Sequence, residues 1–189
     1  MSIDMPSPSD GQIKALAARI DRPVVLVGMM GVGKSTIGRK LAQLLGLPFA
    51  DADDEIEAAA QMAITEIFEQ FGEENFRDGE RRVIARLLDA GPSVLATGGG
   101  AFVQEDTRAL ILQKGITIWL DSELATLVER VSRKDTRPLL RQGNPAEILA
   151  RLKAEREPAY AQAPIHVISD AGPHDITVNR ILWELERWR

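Results

Sequence analysis

The chain reads as an α/β domain in which a parallel sheet lies between layers of helices. Two patterns carry that reading. Short apolar runs at 24–27, 93–97, 116–120 and 164–168 alternate with stretches whose apolar residues recur every three or four positions. Strands separated by helices in this way pair in parallel through right-handed crossovers. The first strand also enters a glycine-rich turn, Gly28-Met29-Met30-Gly31-Val32-Gly33, which opens directly onto a helix at Lys34-Ser35-Thr36. A chain of 189 residues suits one such domain with a full core and is short for two.

The elements follow in order. Residues 1–10, rich in Ser, Pro and Asp, read as a disordered tail. Ile13, Leu16, Ala17 and Ile20 at helical spacing predict a short helix that ends near Asp21, ahead of Pro23. Together, residues 1–22 form an N-terminal extension to a domain spanning 23–189. Ile37, Leu41, Leu44 and Leu45 mark an amphipathic helix over 34–45, closed by Gly46 and Pro48. Phe49-Ala50 leads to Asp51 as a short strand. Residues 54–90 are helical with a break around Gly72 to Asn75, and Val83, Ile84, Leu87 and Leu88 form a stripe that belongs in a core. Ser93–Thr97 is a strand running into Gly98-Gly99-Gly100. Ile116–Leu120 is another, followed by a helix over 122–132. After the strand 164–168, a helix over 175–188 offers Val178, Ile181, Leu182, Leu185 and Trp188 for burial.

Composition narrows the function classes. Hydrophobic residues make up 44% and charged residues 27%, ordinary for a soluble globular chain. A net charge of -5 argues against nucleic acid or an anionic membrane as partner. Without cysteine there is no disulfide framework, thiolate nucleophile or cysteine metal site. His166 and His174 stand apart from other ligand types and read as structural or solvated. No apolar run approaches a membrane span, and the N-terminus lacks the pattern of a secretory signal, so the expectation is a cytoplasmic protein.

The chemistry concentrates at the glycine-rich turn. Gly28, Gly33, Lys34 and Ser35 satisfy G-x-x-x-x-G-K-[ST] with a strand before and a helix after. Glycines let successive backbone N–H groups curl inward around an anion, and the helix N-terminus adds its dipole. Lys34 would reach the β- and γ-phosphates of a nucleoside triphosphate, and Ser35 would offer an oxygen to Mg²⁺. Asp51 and Asp53, after the second strand, emerge at the carboxyl edge of the sheet where open α/β folds bind ligands. One could address hydrated Mg²⁺ and the other an acceptor hydroxyl. Asp54 and Glu55 are favoured in a first helical turn by its dipole. Three glycines after a buried strand suggest a ligand pressed against backbone N–H groups, or simply a flexible turn. The basic stretch 132–145 is either a solvated loop or a mobile lid that brings arginine to a phosphate. Arg77 by itself pairs with Glu74 or Glu80 on a helix. Asp121, at the end of its strand, reads as a helix N-cap.

From about residue 23 to the C-terminus the chain resembles the shikimate kinases. The resemblance is carried by Gly28–Arg39, Asp51–Glu57, Phe76-Arg77-Asp78, Leu95–Gly100, Arg137-Pro138-Leu139-Leu140 and Arg156–Tyr160. It implies a five-stranded parallel sheet in a three-layer sandwich, a P-loop NTPase of the nucleoside-monophosphate-kinase type. The implied reaction moves the γ-phosphoryl of ATP to the 3-hydroxyl of shikimate, with Mg²⁺, on the way to aromatic amino acids. By similarity, Gly28, Gly31, Val32, Gly33, Lys34, Ser35 and Thr36 hold ATP. Ser35 and Asp51 serve the metal. Asp53 holds the shikimate hydroxyls and can accept the proton, within an acceptor-binding region of about 51–80. Arg77, Arg156 and the backbone of Gly98, Gly99 and Gly100 grip its carboxylate. Arg137 becomes the arginine of a lid over 132–145, and Arg130 and Pro173 sandwich adenine. The implied partners are ATP and shikimate, bound by a monomer, with no nucleic acid and no membrane.

The closest rival is another small-metabolite kinase of the same fold, such as a gluconate kinase. A GTP-binding switch lacks support, because neither Asp-x-x-Gly for the γ-phosphate nor Asn-Lys-x-Asp for guanine is found. A phosphate-loop motor or chaperone would call for a water-activating glutamate or glutamine and an arginine finger from a neighbouring subunit.

Overall fold

The computed structural model describes residues 6–133 and 143–188. Strands β1 (Val24–Val27), β2 (Phe49–Asp51), β3 (Val94–Ala96), β4 (Ile116–Asp121) and β5 (Ile165–Ile168) form one parallel sheet in the order β2-β3-β1-β4-β5. The central position of β1 explains its sequence. Val24-Val25-Leu26-Val27 has a neighbour on each side and is fully buried, which demands a continuous apolar run rather than alternation. At the edge, β5 alternates buried and exposed residues.

Helices flank the sheet. α1 (Asp10–Arg19), α2 (Lys34–Leu45) and α8 (His174–Arg187) pack on one another; α3 (Ala52–Ala60) packs on α4 (Ile64–Asp89), α4 on α5 (Glu105–Lys114), and α6 (Leu124–Ser132) on α7 (Pro145–Tyr160). The α4 segment breaks where expected: Gly72 has φ 78 and ψ 173, inside what is otherwise one 26-residue helix. Sequence periodicity assigns no helix to 105–114 or 145–160. The reason is shallow burial, since α5 fully buries only Thr107 and Ile111, and α7 only Leu149 and Tyr160. Too few apolar positions remain to show a 3.6-residue period. Conversely, Leu44 and Trp188, expected in the core, are exposed.

A main core fills the space between sheet and helices. A smaller one, built on Ile56, Ile67 and Phe76 with the Phe68 ring 4.5 Å from Phe76, holds α3 against α4. Near the N-terminus, residues 6–9 cross to α8. Trp183 Nε1 donates to Pro6 O at 2.9 Å, Asn179 to Ser7 Oγ at 2.9 Å, and Ser9 caps α1. No described helix is long and apolar enough to cross a membrane.

Candidate functional site

The sheet order places a topological switch at β1, whose neighbours β3 and β4 lie on opposite sides, and a crevice opens beyond the carboxyl ends of the strands. A cavity of about 510 Å³ occupies it. The phosphate loop forms its floor. Gly28, Gly31 and Gly33 have φ of 138°, 82° and 103°, conformations that L side chains rarely adopt. Gly33 is the N-cap of α2 and supplies no side-chain cap, so the first N–H groups of the helix stay available to an anion. The buried Lys34 Nζ donates to Gly28 O at 2.8 Å and Met29 O at 2.9 Å, which holds the ammonium over the loop.

Gly31, Gly33, Lys34, Ser35 and Thr36 line the cavity. Gly28 and Val32 do not; they shape the loop from behind. A Cβ on Gly28 would collide with the Leu120 carbonyl of β4. Val32 is fully buried, and its carbonyl accepts from Arg130 Nη1 at 3.0 Å and Ser169 Oγ at 3.1 Å. Arg130 also donates to Asp170 O at 2.5 Å, so this side chain ties the loop after β5 to the phosphate loop while lining the cavity. Pro173 caps α8 and is not among the lining residues, although Gly172 and His174 on either side of it are.

Both aspartates sit where the second strand places them. Asp51 uses one carboxylate oxygen to cap α3, accepting from Asp53 N at 3.0 Å, and the other to accept from Ser35 Oγ at 2.5 Å. The result is a hydroxyl and a carboxylate side by side on the cavity wall. Mg²⁺ takes hard oxygen donors and is commonly held by one or two protein groups together with substrate phosphates, so the Ser35–Asp51 pair fits it. Among the described residues no group of three or more His, Cys, Asp or Glu could hold a metal by itself.

The glycine triplet draws the acceptor-side residues together. A Cβ on Gly98 would lie 2.8 Å from Asp53 Oδ1, and one on Gly99 would lie 3.2 Å from Arg156 Nη1. One on Gly100 would overlap the Arg77 guanidinium. Three residues from α3, α7 and α4 therefore press on three consecutive backbone units, where the missing Cβ atoms leave them room. Arg156 Nη1 is a buried donor without a hydrogen-bond partner in the structure, and Arg77 Nε, also without one, lies 3.6 Å from a Glu73 carboxylate oxygen. Buried unsatisfied guanidinium N–H groups are costly and suit a bound carboxylate.

Sequence reasoning missed three participants. Glu80, weighed only as a helix neighbour of Arg77, is 1% exposed and accepts from Arg77 Nη1 at 2.7 Å. Burial raises its pKa, against the lowering effect of Arg77 and with a further push from the Asp53 charge. The signal for it was the i,i+3 spacing itself. Tyr160 donates to Gly99 O at 2.5 Å and is fully buried. His174, read as structural or solvated, lines the cavity instead. Asp121 is not a helix N-cap: Glu123 takes that position at α6, while Asp121 accepts from Lys153 Nζ at 2.6 Å and lies 3.3 Å from His166 Nε2. His166 stacks on Trp119 at 4.0 Å. Arg137 and most of the stretch expected to form the lid lie outside the described residues.

The family model described as shikimate kinase matches residues 30–186. A shikimate kinase of Novosphingobium aromaticivorans is 62% identical over 184 residues, 95% of this chain and 95% of that protein. The solved shikimate kinase from Acinetobacter baumannii, in complex with shikimate, matches with a TM-score of 0.84 at 36% identity, over 94% of this chain and 97% of that one. A gluconokinase from Sinorhizobium meliloti reaches a TM-score of 0.63 at 18% identity, covering 89% of this chain and 94% of its own. It shares the fold alone.

Proposed function

Since the chain belongs to the shikimate kinase family, we propose that the phosphate loop and the glycine-triplet socket are the two halves of its active site. The reaction transfers the γ-phosphoryl group of ATP to the 3-hydroxyl of shikimate and yields shikimate 3-phosphate and ADP. In the loop half, the N–H groups of residues 31–36 wrap the phosphates and Lys34 exchanges its carbonyl partners for β- and γ-phosphate oxygens. Ser35 and Asp51 would hold Mg²⁺, which when bound would neutralise charge on the phosphate oxygens. Arg130, with Gly172 and Pro173 nearby, holds the nucleobase end.

In the other half, Arg77 and Arg156 receive the carboxylate through planar forks that lysine lacks. Glu80 aims Arg77, and Tyr160 holds the Gly99 carbonyl. Asp53, beside Gly98, holds the acceptor hydroxyl and takes its proton as the hydroxyl oxygen bonds to the γ-phosphorus and the bond to ADP breaks. Arg137 neutralises charge on the moving phosphoryl group. Most of the acceleration comes from positioning and charge, because phosphoryl transfer asks little covalent chemistry of the protein.

The observation that carries this reading is the convergence of Asp53, Arg156 and Arg77 on Gly98, Gly99 and Gly100. Calorimetric titration of shikimate into the protein and into Arg156→Ala tests it. The substitution should weaken shikimate by about 10²-fold, the order expected when one partner of a desolvated charge pair is truncated. Unchanged shikimate affinity would refute the socket.

A further inference from the structure

The geometry points to His174 as a nucleotide-positioning residue that contacts the ribose–α-phosphate segment of the bound nucleoside triphosphate. This rests on the assignment of the phosphate loop to ATP. The imidazole begins α8, lines the cavity and lies over the turn into α2: a Cβ on Gly33 would stand 3.0 Å from His174 Cε1 and 3.5 Å from Nδ1. Nδ1 is buried and has no hydrogen-bond partner in the structure. Its charged neighbours are committed elsewhere. Lys40 on α2 donates to Asp175 at 2.8 Å, and Arg130 on α6 is spent on Val32 O, Ser169 Oγ and Asp170 O.

A ring nitrogen buried without a partner beside a phosphate loop is a group whose satisfaction awaits a ligand. It lines one cavity together with the loop, which takes the polyphosphate, and with Arg130 and Gly172, which take the base. That position fits the sugar and the first phosphate.

The surroundings also set its protonation. Desolvation, then the charges of Arg130 and Lys40, hold the imidazole below the ordinary 6.5, opposed only by Asp175. The ligand-free protein therefore favours the neutral imidazole. An anion seated beside the ring favours the imidazolium and raises that value. Nucleotide binding then takes up a proton, and affinity grows as pH falls through the bound-state pKa.

The test is titration of MgADP and of shikimate, separately, into the unaltered protein, His174→Ala and His174→Gln between pH 6 and 8. Both variants should keep shikimate affinity within twofold. His174→Ala should weaken MgADP roughly tenfold at pH 6, the order of one hydrogen bond to a charged group. His174→Gln should recover part of that loss. The deficit of both variants should shrink as pH rises to 8, a dependence that a purely structural role would not produce. A variant that binds MgADP as the unaltered protein does, that loses both ligands alike, or whose deficit is flat across pH would overturn the proposal. Failure of the unaltered protein to bind MgADP would instead overturn the nucleotide assignment, and the role of His174 with it.

Discussion

The two halves of the proposed active site are built by opposite strategies. The phosphate loop is local: residues 28–36 are consecutive, and their backbone, three positive-φ glycines and one helix N-terminus make the anion cradle. The acceptor socket is assembled from far apart, with Asp53 on α3, Arg77 and Glu80 on α4, Arg156 on α7, and the triplet after β3. A local cradle depends on backbone conformation and tolerates change elsewhere. A distributed socket depends on helix placement, so it can be damaged without touching a ligand-binding side chain.

The largest effect should separate the halves most cleanly. Lys34→Met removes the ammonium that we assign to transition-state charge, and kcat should drop by about 10³-fold, the scale of losing one such donor. Calorimetry should still find shikimate binding; its disappearance would mean the halves are not independent. Next, Gly100→Ala drives a methyl group into the Arg77 guanidinium. Steady-state kinetics should show the shikimate KM raised about tenfold with the ATP KM unmoved, in line with roughly 1–3 kcal/mol for overpacking.

Glu80→Gln sharpens the contrast through pH. Burial lifts the folded-state pKa of Glu80 above the ordinary 4.5. Its contribution to stability is therefore full below 4.5 and is lost as pH rises through the raised folded value. The neutral glutamine avoids that loss, so thermal melts at pH 7 should show a higher Tm than the parent. The same change loosens Arg77 and should raise the shikimate KM severalfold. The parent should bind shikimate less tightly on acidification, as Glu80 takes up its proton, and the variant should not. A variant both more stable and equally tight for shikimate would remove Glu80 from the socket. The smallest change is Tyr160→Phe, which deletes the hydrogen bond to Gly99 O. Denaturant unfolding should register about 1 kcal/mol, and the ATP KM should stay fixed.

Legibility follows the same division. Gly28 to Thr36 could be read directly, because a motif whose function lies in consecutive backbone units is a sequence pattern. Asp51 and Asp53 were placed by the strand that precedes them. For Arg77 the local view offered ordinary helix pairing, and the structure contains that pairing with Glu80 as well as the contact with Gly100. Only the resemblance to a family singled it out. The histidines show the limit most plainly. His166 and His174 look alike in composition, yet one stacks on Trp119 and the other lies over Gly33.

Residue types and their order were enough to define an α/β sheet, the strand that enters the glycine-rich turn, the anion cradle and the break at Gly72. These follow from backbone stereochemistry and from hydrophobic periodicity, which act over a few residues. Folding in three dimensions decided which helices with sparse apolar faces would form, that Asp121 would pair with Lys153, and that three glycines would receive Asp53, Arg156 and Arg77. Those outcomes depend on close packing and charge compensation between segments distant in the chain, and no short-range rule encodes them.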